Sequence, residues 1–285
     1  MIKLCAFADE YGKQITDQIE GLTLNNIHLV ELRNVDGKNI ADITDEEAAN
    51  CYKRLTDAGI AVWSLGSPMG KVDINCDFEQ YKVAKVRRLC HLANILHADK
   101  IRMFSFYHAY DNRDKVMAYL SQMVAIAAEY GVTLYHENEK EIYGDTLEHV
   151  QDIMATVGGL KYVYDPANYI QCGQDSNATI AALFDKTAYF HVKDVIAATQ
   201  QLVPAGYGDG NIAEIVRRID PTKEVVMTLE PHLAVFDGYA QIDNSEMKNK
   251  FSYPDNHAAF NAAVEALKDI LVACGYTETA EGFVK

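Results

Sequence analysis

No two cysteines in this 285-residue chain stand at CxxC spacing. Cys5, Cys51, Cys76, Cys90, Cys172 and Cys274 are scattered, which argues against a zinc knuckle or a thioredoxin-like site. Long apolar runs are missing as well. No window approaches the ~18 residues that span a bilayer, and the apolar stretch at the N-terminus is far shorter than a signal-peptide core. Basic residues are scarce, 26 against 41 acidic ones, for a net charge of −15. A surface that acidic repels phosphate backbones and anionic lipid heads, so neither nucleic acid nor a membrane is an expected partner. There is no low-complexity segment and no Pro/Gly/Ser-rich linker. The expectation is one domain over residues 1–285, in a reduced, soluble, cytoplasmic protein.

What is present is ordinary globular material, 49% hydrophobic and 24% charged, enough for a large core. Short apolar runs alternate with amphipathic stretches. The predicted strands are Lys3–Ala8, His28–Arg33, Ala61–Leu65, Ile101–Phe106, Thr133–Glu137, Tyr162–Asp165, Tyr189–Val192 and Val225–Glu230. They are continuous rather than alternating, as in a parallel sheet buried on both faces. The intervening predicted helices are Ile15–Asn25, Asp45–Ala58, Asp77–Ala98, Asp114–Tyr130, Asp145–Thr156, Asn177–Asp185, Ile212–Ile219 and Asn256–Cys274. Thr44 is a candidate N-cap, and Gly59 and Gly131 are candidate stops. Strict strand–helix alternation of this kind predicts an α/β fold, a single (β/α)8 TIM barrel, for which ~250 residues is a typical length. The competing doubly wound sheet would need a Gly-rich first turn, and the first strand is followed instead by Asp9-Glu10-Tyr11-Gly12.

In a barrel, chemistry sits where the strands finish. The fifth predicted strand ends His136-Glu137-Asn138-Glu139, the sixth Tyr164-Asp165-Pro166-Ala167-Asn168, the seventh Phe190-His191-Val192-Lys193-Asp194 and the eighth Leu229-Glu230-Pro231-His232. Glu137, Asp165, His191 and Glu230 therefore each close an apolar run on four consecutive strands. Singly, each could be an N-cap or a solvated loop residue. Together, three carboxylates clustered at a rim without a cation would be costly. Three carboxylates and an imidazole suit one divalent ion. Oxygen ligands favour Mn2+ or Mg2+ and the imidazole admits Co2+, Zn2+ or iron, with Mn2+ the expected ion.

These four strings resemble the ligand motifs of the xylose isomerase-like barrel superfamily of sugar isomerases and epimerases. The likeness runs over essentially the whole chain, including Ser64-Leu65-Gly66-Ser67-Pro68 and Gly206-Tyr207-Gly208-Asp209-Gly210. The resemblance implies that Glu137, Asp165, His191 and Glu230 hold the metal, and that Glu137 and Glu230 also face opposite sides of a substrate and move protons. Residue chemistry agrees with that implication. A proton next to a carbonyl needs a base on one face and, for epimerisation, a second group on the other. A metal stabilises the enediolate as charge develops. One departure stands out: where several relatives carry a histidine three residues after the aspartate, this chain has Asn168, which cannot titrate near neutrality.

Asn168, Lys193 and His232 are the candidate substrate-binding residues. Lys193 lies two beyond His191 and shares its face on an extended strand. His232 lies two beyond Glu230, although Pro231 intervenes. His136 is expected to point away from the site. Arg33 and Lys71, near strand-end loops, could meet an anionic substrate but read more simply as surface charge. The Gly206–Gly210 loop precedes a helix, where barrels bind phosphate, yet Asp209 argues against a phosphate there, and the loop reads equally well as a mobile lid. The aromatic segment Pro231–Asp255, with Phe236, Tyr239, Phe251 and Tyr253, is expected to cover the site or to contact a neighbouring subunit, so a homo-oligomer stays open. The leading expectation is a metal-dependent isomerase or epimerase of a small sugar or related hydroxy-ketone, with a small-molecule carbohydrate as partner. The alternative on the same site is a lyase that expels water from an inosose-like ketone or cleaves a 3-keto-glycoside. An abasic-site endonuclease, opposed by the charge and by the missing histidines, and a non-catalytic sugar-binding protein are remoter readings.

Overall fold

A computed structural model describes residues 1–233 and 253–285. Eight parallel strands form the barrel: β1 (Ile2–Ala6), β2 (Leu29–Leu32), β3 (Ala61–Gly66), β4 (Lys100–Met103), β5 (Thr133–Glu137), β6 (Lys161–Tyr164), β7 (Tyr189–Val192) and β8 (Val225–Leu229). Each pairs with the next, and β8 pairs with β1 from Ile2↔Val225 to Ala6↔Leu229, which closes the ring. The fold is the predicted (β/α)8 TIM barrel. No helix among the described residues is long and apolar enough to cross a membrane.

Most helices start and stop where local chemistry places them. Thr44 caps Asp45–Asp57 in a full capping box with Glu47, and Gly59 follows at φ +74°. The predicted helix Asp77–Ala98 is corrected: it runs as α-helix over Phe78–Tyr81, π-helix over Lys82–Arg87 and α-helix again over Arg88–Ile95. Several features went unpredicted, among them the short helix Pro166–Gln171 and the hairpins of Asn34–Val35 with Lys38–Asn39, of Asp194–Ile196 with Gln201–Val203 beyond β7, and of Thr277–Thr279 with Gly282–Val284.

Inside the barrel, Cys5, Val163, Tyr189 and Val226 pack with Leu29, Trp63 and Tyr135. These seven residues come from strands all around the ring, so they form an apolar layer across its interior. Side chains two positions further along a strand point the same way. That step leads from Leu29 to Glu31, from Tyr135 to Glu137, from Val163 to Asp165 and from Tyr189 to His191, which puts a polar layer at the C-terminal end of the barrel.

Candidate metal centre

Glu137, Asp165, His191 and Glu230 are all buried, and one ligand atom from each lies within 4.8 Å of the others. The four residues predicted from strand ends are thus brought to one point. Each carboxylate has one oxygen fixed from outside and one turned inward. Asp165 Oδ1 accepts the Asn168 backbone N–H at 2.9 Å as the N-cap of Pro166–Gln171, so this residue caps a helix and still presents Oδ2. Glu230 Oε1 accepts from Arg33 Nη1 at 3.1 Å, and Arg102 Nε stands 3.1 Å from Glu137 Oε2. The inner oxygens, Glu137 Oε1 and Glu230 Oε2, face His191 Nδ1 at 2.9 and 3.2 Å. Asp165 Oδ2 and Glu230 Oε2 are buried and accept no hydrogen bond.

His191 is oriented by Glu31, whose Oε2 lies 3.2 Å from Nε2 while its Oε1 accepts from Tyr189 Oη at 3.0 Å. A carboxylate behind an imidazole fixes which ring nitrogen faces the centre. Burial alone would lower the His191 pKa, but Glu137 and Glu31 outweigh it and hold it well above the ordinary value. Burial pushes Asp165 up to about 7, whereas the cations and imidazoles around Glu230, Lys193 first, overcome burial and hold it well below the usual carboxylate range. Two inward oxygens that accept no hydrogen bond, an imidazole braced from behind and an Asp165 carboxyl raised by burial are what a divalent cation would satisfy. The donor set fits a divalent cation.

Of the candidate substrate residues, Lys193 and Asn168 reach inward oxygens of the centre, and His232 lies against the outer oxygen of Glu230. Lys193 Nζ is 2.9 Å from Asp165 Oδ2, and His232 Nε2 is 3.4 Å from Glu230 Oε1. His232 does so from a left-handed backbone, φ +47°, and burial lowers its pKa to about 4. Asn168 is buried, and its Nδ2 donates to Asn138 O at 2.8 Å and to Glu137 Oε1 at 3.4 Å. Asn138 in turn bonds Asp165 on both sides, giving Nδ2 to its carbonyl and accepting its N–H through Oδ1. His136 turns away as expected, toward Ser105 Oγ at 3.0 Å, with its pKa lowered by burial to about 3.

Arg33 and Lys71 are not surface charge; that reading is corrected. Arg33 is 2% exposed and grips both Asp9 oxygens at 2.9 and 3.0 Å, with Glu10 at 3.3 Å. Lys71 Nζ is held 2.9 Å from Glu139 Oε2 over the Phe104 ring. Sequence reasoning missed Glu31, Arg102, Asp9, Glu10 and Glu139. The available signal was an ionisable residue inside an apolar strand run, Glu31 in β2 and Arg102 in β4, since such residues are buried only when paired.

The Gly206–Gly210 loop is neither a phosphate cradle nor, in its amides, open. Asp194 accepts the N–H groups of Val195, Gly206, Gly208 and Gly210 at 2.8–3.1 Å. A Cβ on Gly208 would lie 2.3 Å from Asp194 Oδ1, so only glycine permits this approach. Asp194→Asn, which turns an NH2 toward these donors, is expected to lower unfolding free energy by about 1–3 kcal/mol, read by urea denaturation. The predicted aromatic cover falls mostly on residues 234–252, outside the described residues; Tyr253 alone of its aromatic side chains is described.

The sequence profile of the xylose isomerase-like TIM barrel family matches residues 25–269. Curated proteins offer no sequence match. Solved structures match over nearly the whole of this chain. The probable 3-DHS dehydratase AsbF of Bacillus anthracis, involved in petrobactin synthesis, superposes with a TM-score of 0.70 at 16% identity, over 94% of this chain and 99% of its own. D-psicose 3-epimerase of Clostridium cellulolyticum H10, solved with D-tagatose, gives 0.71 at 13%, over 95% and 99%. A xylose isomerase-like TIM barrel protein of Mycobacterium smegmatis, solved with magnesium, gives 0.67 at 13%, over 96% and 97%. At these identities the likeness is one of fold.

Proposed function

The chain belongs to the xylose isomerase-like TIM barrel family, and on that premise we propose that it is a divalent-metal-dependent enzyme that isomerises or epimerises a small sugar or related hydroxy-ketone. One observation carries this reading: three buried carboxylates and an imidazole converge on one point, each carboxylate fixed by one oxygen and turned inward by the other. A divalent ion held by Glu137, Asp165, His191 and Glu230, Mn2+ in the first instance, would supply polarisation of the substrate's carbonyl and hydroxyl oxygens.

The chain's own residues supply the rest. Glu137 and Glu230 stand at the ends of β5 and β8, on separate sides of His191. One takes the proton from the carbon beside the carbonyl, and the C–H electron pair moves into the enediolate. The other, protonated, returns a proton to the opposite face. The guanidinium groups of Arg102 and Arg33 keep the outer oxygens of the two glutamates in place. Lys193 points its ammonium at the same centre as a donor for substrate oxygens, while His232 packs behind Glu230 against Arg33. Arg33, Arg102 and Lys71 are each paired with a carboxylate, and the loop amides with Asp194, which favours an uncharged substrate over a phosphorylated one.

A second reading has its own support. The buried ammonium of Lys193 is an acid placed beside the proposed bases, and it suits protonation of a departing hydroxide in a dehydratase. One experiment tests both. Ketoses, inososes and keto-glycosides are incubated with Mn2+-loaded protein in deuterated water. The expected result is a product of unchanged skeleton carrying one deuterium, at the carbon that lost its proton for an epimerase and at the former carbonyl carbon for an isomerase. A product lighter by one water, with no added cofactor, establishes the lyase instead. No turnover and no exchange across the panel overturns both.

A further inference from the structure

Lys193 stands where a metal ion would draw its ligands. Its Nζ lies 2.9 Å from Asp165 Oδ2 and 3.8 Å from Glu230 Oε2, and the side chain is 6% exposed. Those are the two inward oxygens that accept no hydrogen bond. Their partner oxygens are held elsewhere, Asp165 Oδ1 by the Asn168 N–H and Glu230 Oε1 by Arg33, so the ammonium faces the very lone pairs that ligation requires. Its placement is dictated by the backbone: Lys193 follows His191 by two residues off the end of β7 and points to the same side.

We propose that Lys193 is a tethered counter-cation of the metal cage, holding Asp165 and Glu230 between metal occupancies, and that a divalent ion enters by displacing its ammonium. This rests on the metal-dependent reading above. Carboxylates packed this closely repel one another unless a cation lies among them. One ammonium supplies part of that charge at the ligand oxygens, and a divalent ion would supply more. The two cations compete for the same oxygens and repel each other in a buried, weakly screening site. Lys193 therefore stabilises the metal-free cage and weakens metal affinity, which keeps the ion exchangeable. Once displaced, the ammonium remains within the site as a donor to substrate oxygens.

The test is calorimetric titration of metal-stripped full-length protein with Mn2+, comparing wild type with Lys193→Met, alongside thermal unfolding with and without Mn2+. Met preserves length and removes the charge. The expected result is Mn2+ binding about tenfold tighter or more in the variant, a lower Tm without metal and a Tm close to wild type when saturated. Lys193→Gln serves in the same way if the Met variant does not fold. Affinity equal to or weaker than wild type in the folded variant overturns the inference, including the case in which only KM for a substrate changes. A wild-type protein that binds no Mn2+ overturns the functional reading itself, and this inference with it.

Discussion

Glu137→Gln and Glu230→Gln are each expected to lower kcat by about 10²–10⁴-fold, the usual contribution of a positioned acid or base. Glutamine keeps the side-chain length and one oxygen, and removes the ability to take a proton. In both residues the inner oxygen faces His191 Nδ1 and the outer oxygen faces a guanidinium, Arg102 for Glu137 and Arg33 for Glu230. An amide cannot satisfy both sides, because its NH2 must face either the guanidinium donors or the cage. Some loss of metal affinity will accompany the change, so metal content is measured in the same preparations and kcat compared at saturating Mn2+. In an epimerase the two variants also differ in which substrate epimer still exchanges its proton with deuterated water, since each glutamate serves one face. Near-normal turnover by both variants with metal bound would show the two-glutamate mechanism to be wrong and favour elimination by another base.

Arg33→Met is expected to cost about 3–5 kcal/mol of stability, the range for breaking a buried ion pair by removing one partner. The Tm should fall on the order of 10 °C. The guanidinium is the common partner of Asp9, Glu10 and Glu230, and it lies 4.5 Å over the Phe7 ring. Burial already pushes the Glu10 carboxyl up to about 8 despite Arg33, so the cluster carries no spare positive charge to cover the loss. Arg33→Lys recovers only part of the deficit, because a point charge cannot grip both Asp9 oxygens at once. Urea unfolding of the metal-free protein reads both variants. A loss below about 1 kcal/mol for Arg33→Met, the size of a surface-pair effect, would mean that the cluster is not holding the rim together.

The contrast between Glu137 and Arg33 marks where sequence reasoning stopped. Glu137 closes a strand that reads Thr133–Glu137 from its apolar run alone, and the structure gives the same bounds. Arg33, at the end of an equally clear run, reads as surface charge from the sequence because an isolated charged residue is usually solvated. Its three carboxylates come from Asp9, Glu10 and Glu230, and the last is 197 residues away. Asp165 shows the same division within one side chain. The Asp-Pro pair signals a helix N-cap locally, and Oδ1 does cap. That Oδ2 also belongs to a four-strand cage is a fact of barrel closure.

The sequence by itself determined the alternation of strands and helices, the barrel, and the four residues that close β5 to β8. Apolar runs, caps and glycine stops act over a few residues, and a parallel strand buried on both faces ends where its apolar run ends. The tertiary structure alone decided which charges meet: Glu31 behind His191, Arg102 and Arg33 on the two glutamates, Lys193 against Asp165, and Asp194 in the amides of the glycine loop. Those partners sit on strands and loops far apart in the chain, brought together by closing the ring from β1 to β8. A buried charge is stabilised by whatever opposite charge that closure places within about 3 Å, and no local pattern encodes the meeting.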